Sequence, residues 1–290
     1  MTESVNRRLR RQLVTGAGLL LPGAANALAA RVIEDAGFPA VYVTGAGIAN
    51  TYLGVPDMGL VSVTEVADHI RAIRDVVALP LLVDGDTGFG NALNMGRTIR
   101  LFERAGASLI QIEDQVFPKR CGHFEGKSVV GVSEMVQKIK AAVDARHDAD
   151  FLIMARTDAR AVDGFEAALE RAHAFREAGA DILFVEAPRT VEELTAIPAR
   201  VPGIHVCNLV VGGKTPILPR ERLAQMGFAG ILYANAALQA AVKAMQTVLG
   251  HLNRTGSISG IEPSLASFDE RQKVVRYDVF TGLERRYRED

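Results

Sequence analysis

The sequence predicts an α/β protein, a (β/α)8 TIM barrel with additional C-terminal helices, and three observations predict it. Short apolar runs rich in Val, Ile and Leu recur along the chain, continuous rather than alternating, as strands buried on both faces are. Helical patterns lie between them. Several of those helices close on a Gly-rich turn just ahead of the next run (Ala36-Gly37-Phe38-Pro39, Ala105-Gly106-Ala107, Ala178-Gly179-Ala180, Met226-Gly227-Phe228), which is a glycine C-cap followed by re-entry into a strand.

Taken in order, Arg7, Arg8, Arg10 and Arg11 precede an apolar stretch, Leu13 to Ala30, that imitates a secretory or twin-arginine leader. Gly16, Gly18, Pro22 and Gly23 interrupt it, so it is read as part of the folded chain, with a first strand at Gly18 to Leu21 and an amphipathic helix from Ala24 to Gly37. Further strands are expected at Ala40 to Thr44, Leu79 to Val83, Ser108 to Ile112, Phe151 to Ala155, Asp181 to Val185, Ile204 to Cys207 and Gly230 to Tyr233. The helical patterns run from Thr64 to Val77, Asn91 to Ala105, Ser133 to Arg146, Gly164 to Ala178 and Pro219 to Met226. A doubly wound sheet would need G-x-G-x-x-G after its first strand. Here Gly16-Ala17-Gly18 precedes that strand, and Gly45-Ala46-Gly47 lacks the third glycine.

A chain of 290 residues, 48% hydrophobic and 23% charged, suits one barrel domain spanning 1–290, with 251–290 as a helical extension. The formal net charge of -1 gives no footprint for nucleic acid or an acidic membrane surface, and no stretch is long and apolar enough to span a bilayer. Two cysteines, Cys121 and Cys207, cannot build a disulfide framework, so a cytoplasmic location is expected.

In a barrel of this kind function sits at the C-terminal ends of the strands. Those ends are polar: Thr44-Gly45-Ala46, Asp84-Gly85-Asp86, Glu113-Asp114, Arg156-Thr157-Asp158, Glu186 and Asn208, with Asp57 added from a Gly-Pro-Asp-like turn. Carboxylates converging on one mouth repel, and hard oxygen donors without a histidine cluster call for Mg²⁺ or Mn²⁺. The plainer alternative is that one or two of these acids cap helices or pair with Arg156. Arg156 suits a substrate carboxylate, and the amides around Gly45 and Gly122 suit an anion.

The stretch from Ile112 to Lys127 reads I-E-D-Q-V-F-P-K-R-C-G-H-F-E-G-K. Lys119, Arg120 and His123 beside Cys121 should stabilise its thiolate and make it a proton donor of lowered pKa. A cation, a carboxylate clamp and an acidified thiol together suit chemistry through an enolate, with Cys121 delivering a proton to carbon. His123 either tunes Cys121 or orients the loop.

These residues resemble the isocitrate lyase and phosphoenolpyruvate mutase superfamily. The resemblance rests on V-Y-V-T-G-A-G at Val41, L-G-V-P-D at Leu53, V-D-G-D-T-G-F-G-N at Val83, I-E-D-Q-V-F-P-K-R-C-G-H at Ile112, A-R-T-D-A at Ala155 and V-E-A-P at Val185. K-R-C-G-H is similar to the C–C lyase branch. The resemblance implies a barrel whose last helix swaps onto a neighbour, in a homotetramer. It implies Mg²⁺ held by Asp84 and Asp86, with Asp57 and Glu113 reaching it partly through water. It also implies an α-oxyacid held by Thr44, Gly45, Ala46, Gly122, Arg156, Glu186 and Asn208, with Cys121 as general acid on a mobile gate loop. Tyr42 is either the base for the substrate hydroxyl or a strand aromatic.

Departures bear on the substrate. Val211 stands where many relatives carry a Glu, Tyr233-Ala234-Asn235-Ala236 replaces Tyr-Pro-Leu-Ser, and Gln239 stands where methylisocitrate lyases place an Arg that holds an extra carboxylate. A tricarboxylate would leave that charge unpaired, so a malate-like dicarboxylate is favoured. The expected activity is Mg²⁺-dependent retro-aldol cleavage of a small carboxylate substrate, first dimethylmalate-type acids and then 2-methylisocitrate. The alternatives are an oxaloacetate decarboxylase or hydrolase, a carboxyphosphonoenolpyruvate mutase, and a silent dicarboxylate-binding barrel.

Overall fold

The computed structural model describes residues 3–120, 122 and 126–288. Its eight strands are β1 (Leu19–Ala24), β2 (Val41–Val43), β3 (Leu81–Asp84), β4 (Leu109–Glu113), β5 (Leu152–Thr157), β6 (Ile182–Val185), β7 (Ile204–Asn208) and β8 (Phe228–Tyr233). Each pairs in parallel with the next and β8 closes on β1, giving a sealed barrel in chain order. Every expected run is a strand. The difference lies at the ends, where β3 takes in Asp84, β4 Glu113, β5 Arg156 and Thr157, and β7 Asn208. The parallel ladder continues through these polar residues, pairing Glu113 with Arg156 and Arg156 with Phe184. Polarity there marks a site within the sheet rather than the end of a strand.

Two layers of core follow from strand alternation. Outward side chains such as Val83, Ile112 and Ile153 pack beneath the helices. Inward ones, including Leu82, Leu109, Leu152 and Ile182, fill the barrel. The lower end is plugged by a helix the sequence reading left unassigned, Val5–Val14, whose Leu9 and Leu13 join the inner cluster at 0% and 1% exposure. Ser4 caps it by accepting from the Arg7 amide. The leader-like arginines lie on this helix, where Arg7 and Arg10 pair with Asp150 and Arg10 reaches Asp181.

The expected helices form close to their anticipated limits, with capping boxes at Ser62 and Asn91. Among the helices not singled out are two longer ones. Val191–Arg200 contains Pro198, which interrupts its periodic pattern, and Ala236–Thr255 has no buried residue at all. On the latter, Val242, Met245 and Leu249 fall at helical spacing and stand exposed, as do Phe268, Phe280 and Tyr287 on the short helices that follow. Among the described residues no helix is long and apolar enough to cross a membrane.

Candidate active site

The C-terminal mouth of the barrel holds a cavity whose walls include Tyr42, Thr44 and Ala46 from the β2 end, with Asp57, Asp84 and Glu113. Gly122, Arg156, Glu186 and Asn208 complete the set of expected site residues that face it. Asp86 and Gly45 stand just behind this wall. Cys121 and His123 lie outside the described residues.

Acid placement follows from the β3 and β4 ends. Gly45 and the two aspartates are tightly packed: a Cβ on Gly45 would lie 3.0 Å from Asp84 Oδ2 and 3.3 Å from Asp86 Oδ1. The Gly45 N–H donates to Asp84 Oδ2 at 3.3 Å, so this amide faces the acid and not the substrate space for which the sequence suggested it. Asp84 Oδ1 accepts from the Asp86 amide and from Gln111 Nε2, each at 3.2 Å. Asp86 adopts a left-handed backbone at φ 47°, a strained position for a residue other than glycine. Burial and the neighbouring acids push its carboxyl up to about 7 despite Lys119.

Lys119 reaches into the group of acids. Its ammonium lies 2.5 Å from Asp57 Oδ1 and 2.7 Å from Asp86 Oδ1 with the side chain 3% exposed, engaged by both carboxylates. Burial works against its charge, but Asp86, Glu113, Asp84 and Asp57 together hold it well above the ordinary lysine range.

Arg156 is the second hub. Its Nε and Nη2 grip Asp158 at 2.9 and 3.1 Å, Nη1 lies 3.3 Å from Glu186, and Nε lies 3.5 Å from Glu113. The guanidinium also stacks over Phe184 at 5.3 Å. Pairing with Arg156, the plainer fate for a strand-end acid, is therefore realised by Asp158, which is completely buried and held below the usual carboxylate range by Arg156 and Lys127. Asp114 belongs outside the mouth as well. It accepts from Thr157 Oγ1 (2.7 Å), the Asp158 amide (2.9 Å) and Arg171 (3.2 Å), bracing β5 from behind.

Tyr42 donates its hydroxyl to Gln111 Oε1 at 2.9 Å, and burial, then Asp84, raise the phenol well above 10. A phenol in that setting keeps its proton, which favours the strand-aromatic reading over the base. Thr44 Oγ1 accepts from the Gly47 amide and pairs with Asn235 at 3.3 Å. The segment after β4 is tied down at both sides. Gln115 clamps the Arg120 main chain with bonds of 2.8 and 2.9 Å, and Lys127 bonds the Gly122 carbonyl. A Cβ on Gly122 would meet Arg156 Nη2 at 2.3 Å and Glu186 Cγ at 2.8 Å, so glycine is needed where this segment rests on the mouth.

The oxygen donors fit a hard divalent cation in chemistry. Among the described residues no three of the Asp, Glu, His and Cys side chains form a ready-made metal cluster; Asp84 and Asp86 converge, while Asp57 and Glu113 stand off. Glu113 Oε1 and Asn208 Oδ1 are buried without a hydrogen-bond partner among the described residues, so acceptors remain for a cation, its waters or a substrate hydroxyl.

Sequence reasoning missed the roles of Gln111, Gln115, Lys127 and Asn235. Lys127 and Asn235 lay inside motifs already noticed, but nothing local marks Gln111, whose role depends on its register beside Asp84. Cys207 is buried in the outer core, and its thiol is pushed up to about 12, unsuited to proton transfer.

A family model for phosphoenolpyruvate phosphomutase matches residues 9–253. Over 280 residues, 97% of each chain, the sequence is 42% identical to a 2,3-dimethylmalate lyase of Eubacterium barkeri. It is 45% identical over 257 residues to a 2-methylisocitrate lyase of Shewanella oneidensis, covering 87% of this chain and 88% of the relative. The crystal structure of a 2,3-dimethylmalate lyase superposes with a TM-score of 0.92 at 32% identity, covering 99% of this chain and 96% of that one. A phosphonopyruvate hydrolase complexed with oxalate and Mg²⁺ gives 0.89 at 33% identity, covering 98% and 99%.

Proposed function

This chain belongs to the phosphoenolpyruvate mutase and isocitrate lyase superfamily, and on that premise we propose that it is a Mg²⁺-dependent lyase cleaving a 2-hydroxy dicarboxylate of the dimethylmalate type. It is an enzyme of a carbon–carbon lyase and mutase superfamily. The observation that carries the finer reading is the pairing within one mouth of an acid nest (Asp57, Asp84, Asp86, Glu113) and a guanidinium, Arg156, stacked on Phe184. A similar structure, of a phosphonopyruvate hydrolase, holds Mg²⁺ together with oxalate, which supports the Mg²⁺ part of this reading.

In this reading Asp84 and Asp86 would hold the cation, with Asp57 and Glu113 acting partly through water, and the bound ion would supply Lewis-acid stabilisation of developing oxyanion charge. Arg156 is fixed by Asp158, which leaves its cavity-facing N–H groups preorganised for a substrate carboxylate. Asn208 and Thr44 flank the same space and orient the α-oxyacid end. A base removes the C2 hydroxyl proton, the C2–C3 bond breaks, C2 becomes the carbonyl of an α-keto acid, and the electron pair passes to C3 of the departing acid. Cys121 then delivers a proton to C3, which completes the balance. Tyr42 acts through Gln111 on Asp84 rather than as that base.

Turnover of 2-methylisocitrate, isocitrate, dimethylmalate, citramalate and oxaloacetate with Mg²⁺, each repeated with EDTA and with Cys121→Ala, tests this reading. Cleavage of a malate-type acid that both controls abolish supports it. Reaction of oxaloacetate alone, undiminished in the Cys121 variant, replaces it with the decarboxylase reading.

The open apolar face of Ala236–Thr255 supports the further proposal of a homotetramer with exchanged helices. Sedimentation equilibrium tests it, since a monomer at micromolar concentration would remove it.

A further inference from the structure

We propose that Lys119 is a built-in counter-cation of the acid nest, competing with the divalent cation for Asp86 and Asp57, so that the nest binds that cation weakly until the ammonium gives way. The inference rests on the Mg²⁺ reading above and deepens it.

Three observations carry it. First, Lys119 forms an ion pair with the oxygen that a cation held by Asp84 and Asp86 would need. Asp86 Oδ1 and Asp84 Oδ2 both lie within 3.3 Å of one point over Gly45, and that same Asp86 Oδ1 is 2.7 Å from the Lys119 ammonium. Second, the arrangement is built from the backbone upward. Gly59, left-handed at φ 71°, has the Lys119 main-chain nitrogen and Cγ 3.6 and 3.8 Å from where its Cβ would stand, so the lysine stem lies over a residue with no side chain. That course delivers the ammonium to Asp57, two residues before Gly59, at 2.5 Å. Third, two neighbouring cations are engaged elsewhere, Arg156 by Asp158 and Glu186 and Lys127 by Asp158. Among the described residues Lys119 is the cation found in ion pairs with Asp57 and Asp86.

Two positive charges sharing an oxygen repel, and the coupling is reciprocal. Whatever Lys119 takes from cation affinity, the cation takes from the hold of Lys119. An anionic substrate between them relieves the repulsion, so substrate and cation should bind with positive cooperativity.

The test is Mn²⁺ binding to the full-length protein, read by electron paramagnetic resonance of free Mn²⁺ and by calorimetry, without turnover. Removing the charge with Lys119→Met, or with Lys119→Gln should the first variant misfold, is expected to tighten Mn²⁺ binding about tenfold or more, and Lys119→Arg to leave it near wild type. Asp84→Asn should abolish binding in every background. Wild-type binding that Asp84→Asn abolishes but Lys119→Met and Lys119→Gln leave unchanged or weaken overturns the competition while leaving the Mg²⁺ reading intact. Absence of saturable Mn²⁺ binding in all variants overturns both.

Discussion

The side-chain amide of Gln239 donates to the main-chain carbonyl of Val211 at 3.2 Å, across 28 residues of sequence. Two of the positions read from the sequence as bearing on the substrate, Val211 and Gln239, therefore touch. Gln239 sits one helical turn beyond Asn235, whose carbonyl accepts from the Gln239 amide at 2.9 Å and whose side chain faces the cavity. The link is neutral and lies beside a residue that lines the mouth. The double variant Val211→Glu, Gln239→Arg should raise kcat/KM for 2-methylisocitrate relative to dimethylmalate by about tenfold or more. Competition between the two substrates, followed by mass spectrometry of the products, checks this; an unchanged ratio shows that these positions do not select the substrate.

Gly122 has no room for a methyl group. Arg156 cannot yield easily because Asp158 and Phe184 pin it, and Glu186 Cγ lies close to its own main chain. Gly122→Ala should lower kcat/KM about a hundredfold while the melting temperature stays within a degree or so of wild type. A loss of activity matched by a large loss of stability would locate the defect in folding instead.

Arg156 balances three buried acids, Glu113, Asp158 and Glu186. Arg156→Met strands them, and urea unfolding should show a loss of about 3 kcal/mol or more, alongside loss of turnover. Pairing it with Asp158→Asn should restore part of the stability and none of the activity, since the substrate clamp is still missing.

His205 gives the stability a pH dependence remote from the mouth. It bonds the Val201 carbonyl through Nε2 at 2.7 Å, while Nδ1 is buried with no partner among the described residues. Burial lowers its pKa below 6.5, because protonation would place a second N–H where nothing accepts it. For a depressed basic group the stabilisation is present above the unfolded pKa and is lost as pH falls towards the folded one. Stability should therefore decline below pH 6.5, by at most about 1.4 kcal/mol per pH unit from this residue. His205→Gln should flatten that slope in a series of urea midpoints; an unaltered slope would assign the effect to other groups.

Much of this molecule was legible in one dimension. The strands announce themselves because both faces of a parallel barrel strand are buried, which forces continuous runs such as Leu81 to Val83, and glycine at Gly106 and Gly179 takes the left-handed turns that end helices. The candidate site was legible for a related reason: a charged residue within such a run is costly unless used, so Asp84, Glu113 and Arg156 stand out. Val5–Val14 did not, since arginines dominate it and only Leu9 and Leu13 reveal that it seals the barrel floor.

What the sequence alone determined, then, is the architecture and many of the residues that line the mouth, such as Asp84, Glu113 and Arg156, both of which follow from local composition and spacing. Only the tertiary structure decided which acid serves which cation: that Asp158 and Glu186 hold Arg156, that Asp114 turns away to Arg171, and that Lys119 enters the nest of Asp57 and Asp86. Those choices depend on strand register and on distances across the barrel. Such pairings join residues tens of positions apart, and electrostatic energy in a buried site depends on separations of a few ångströms that no run of letters records.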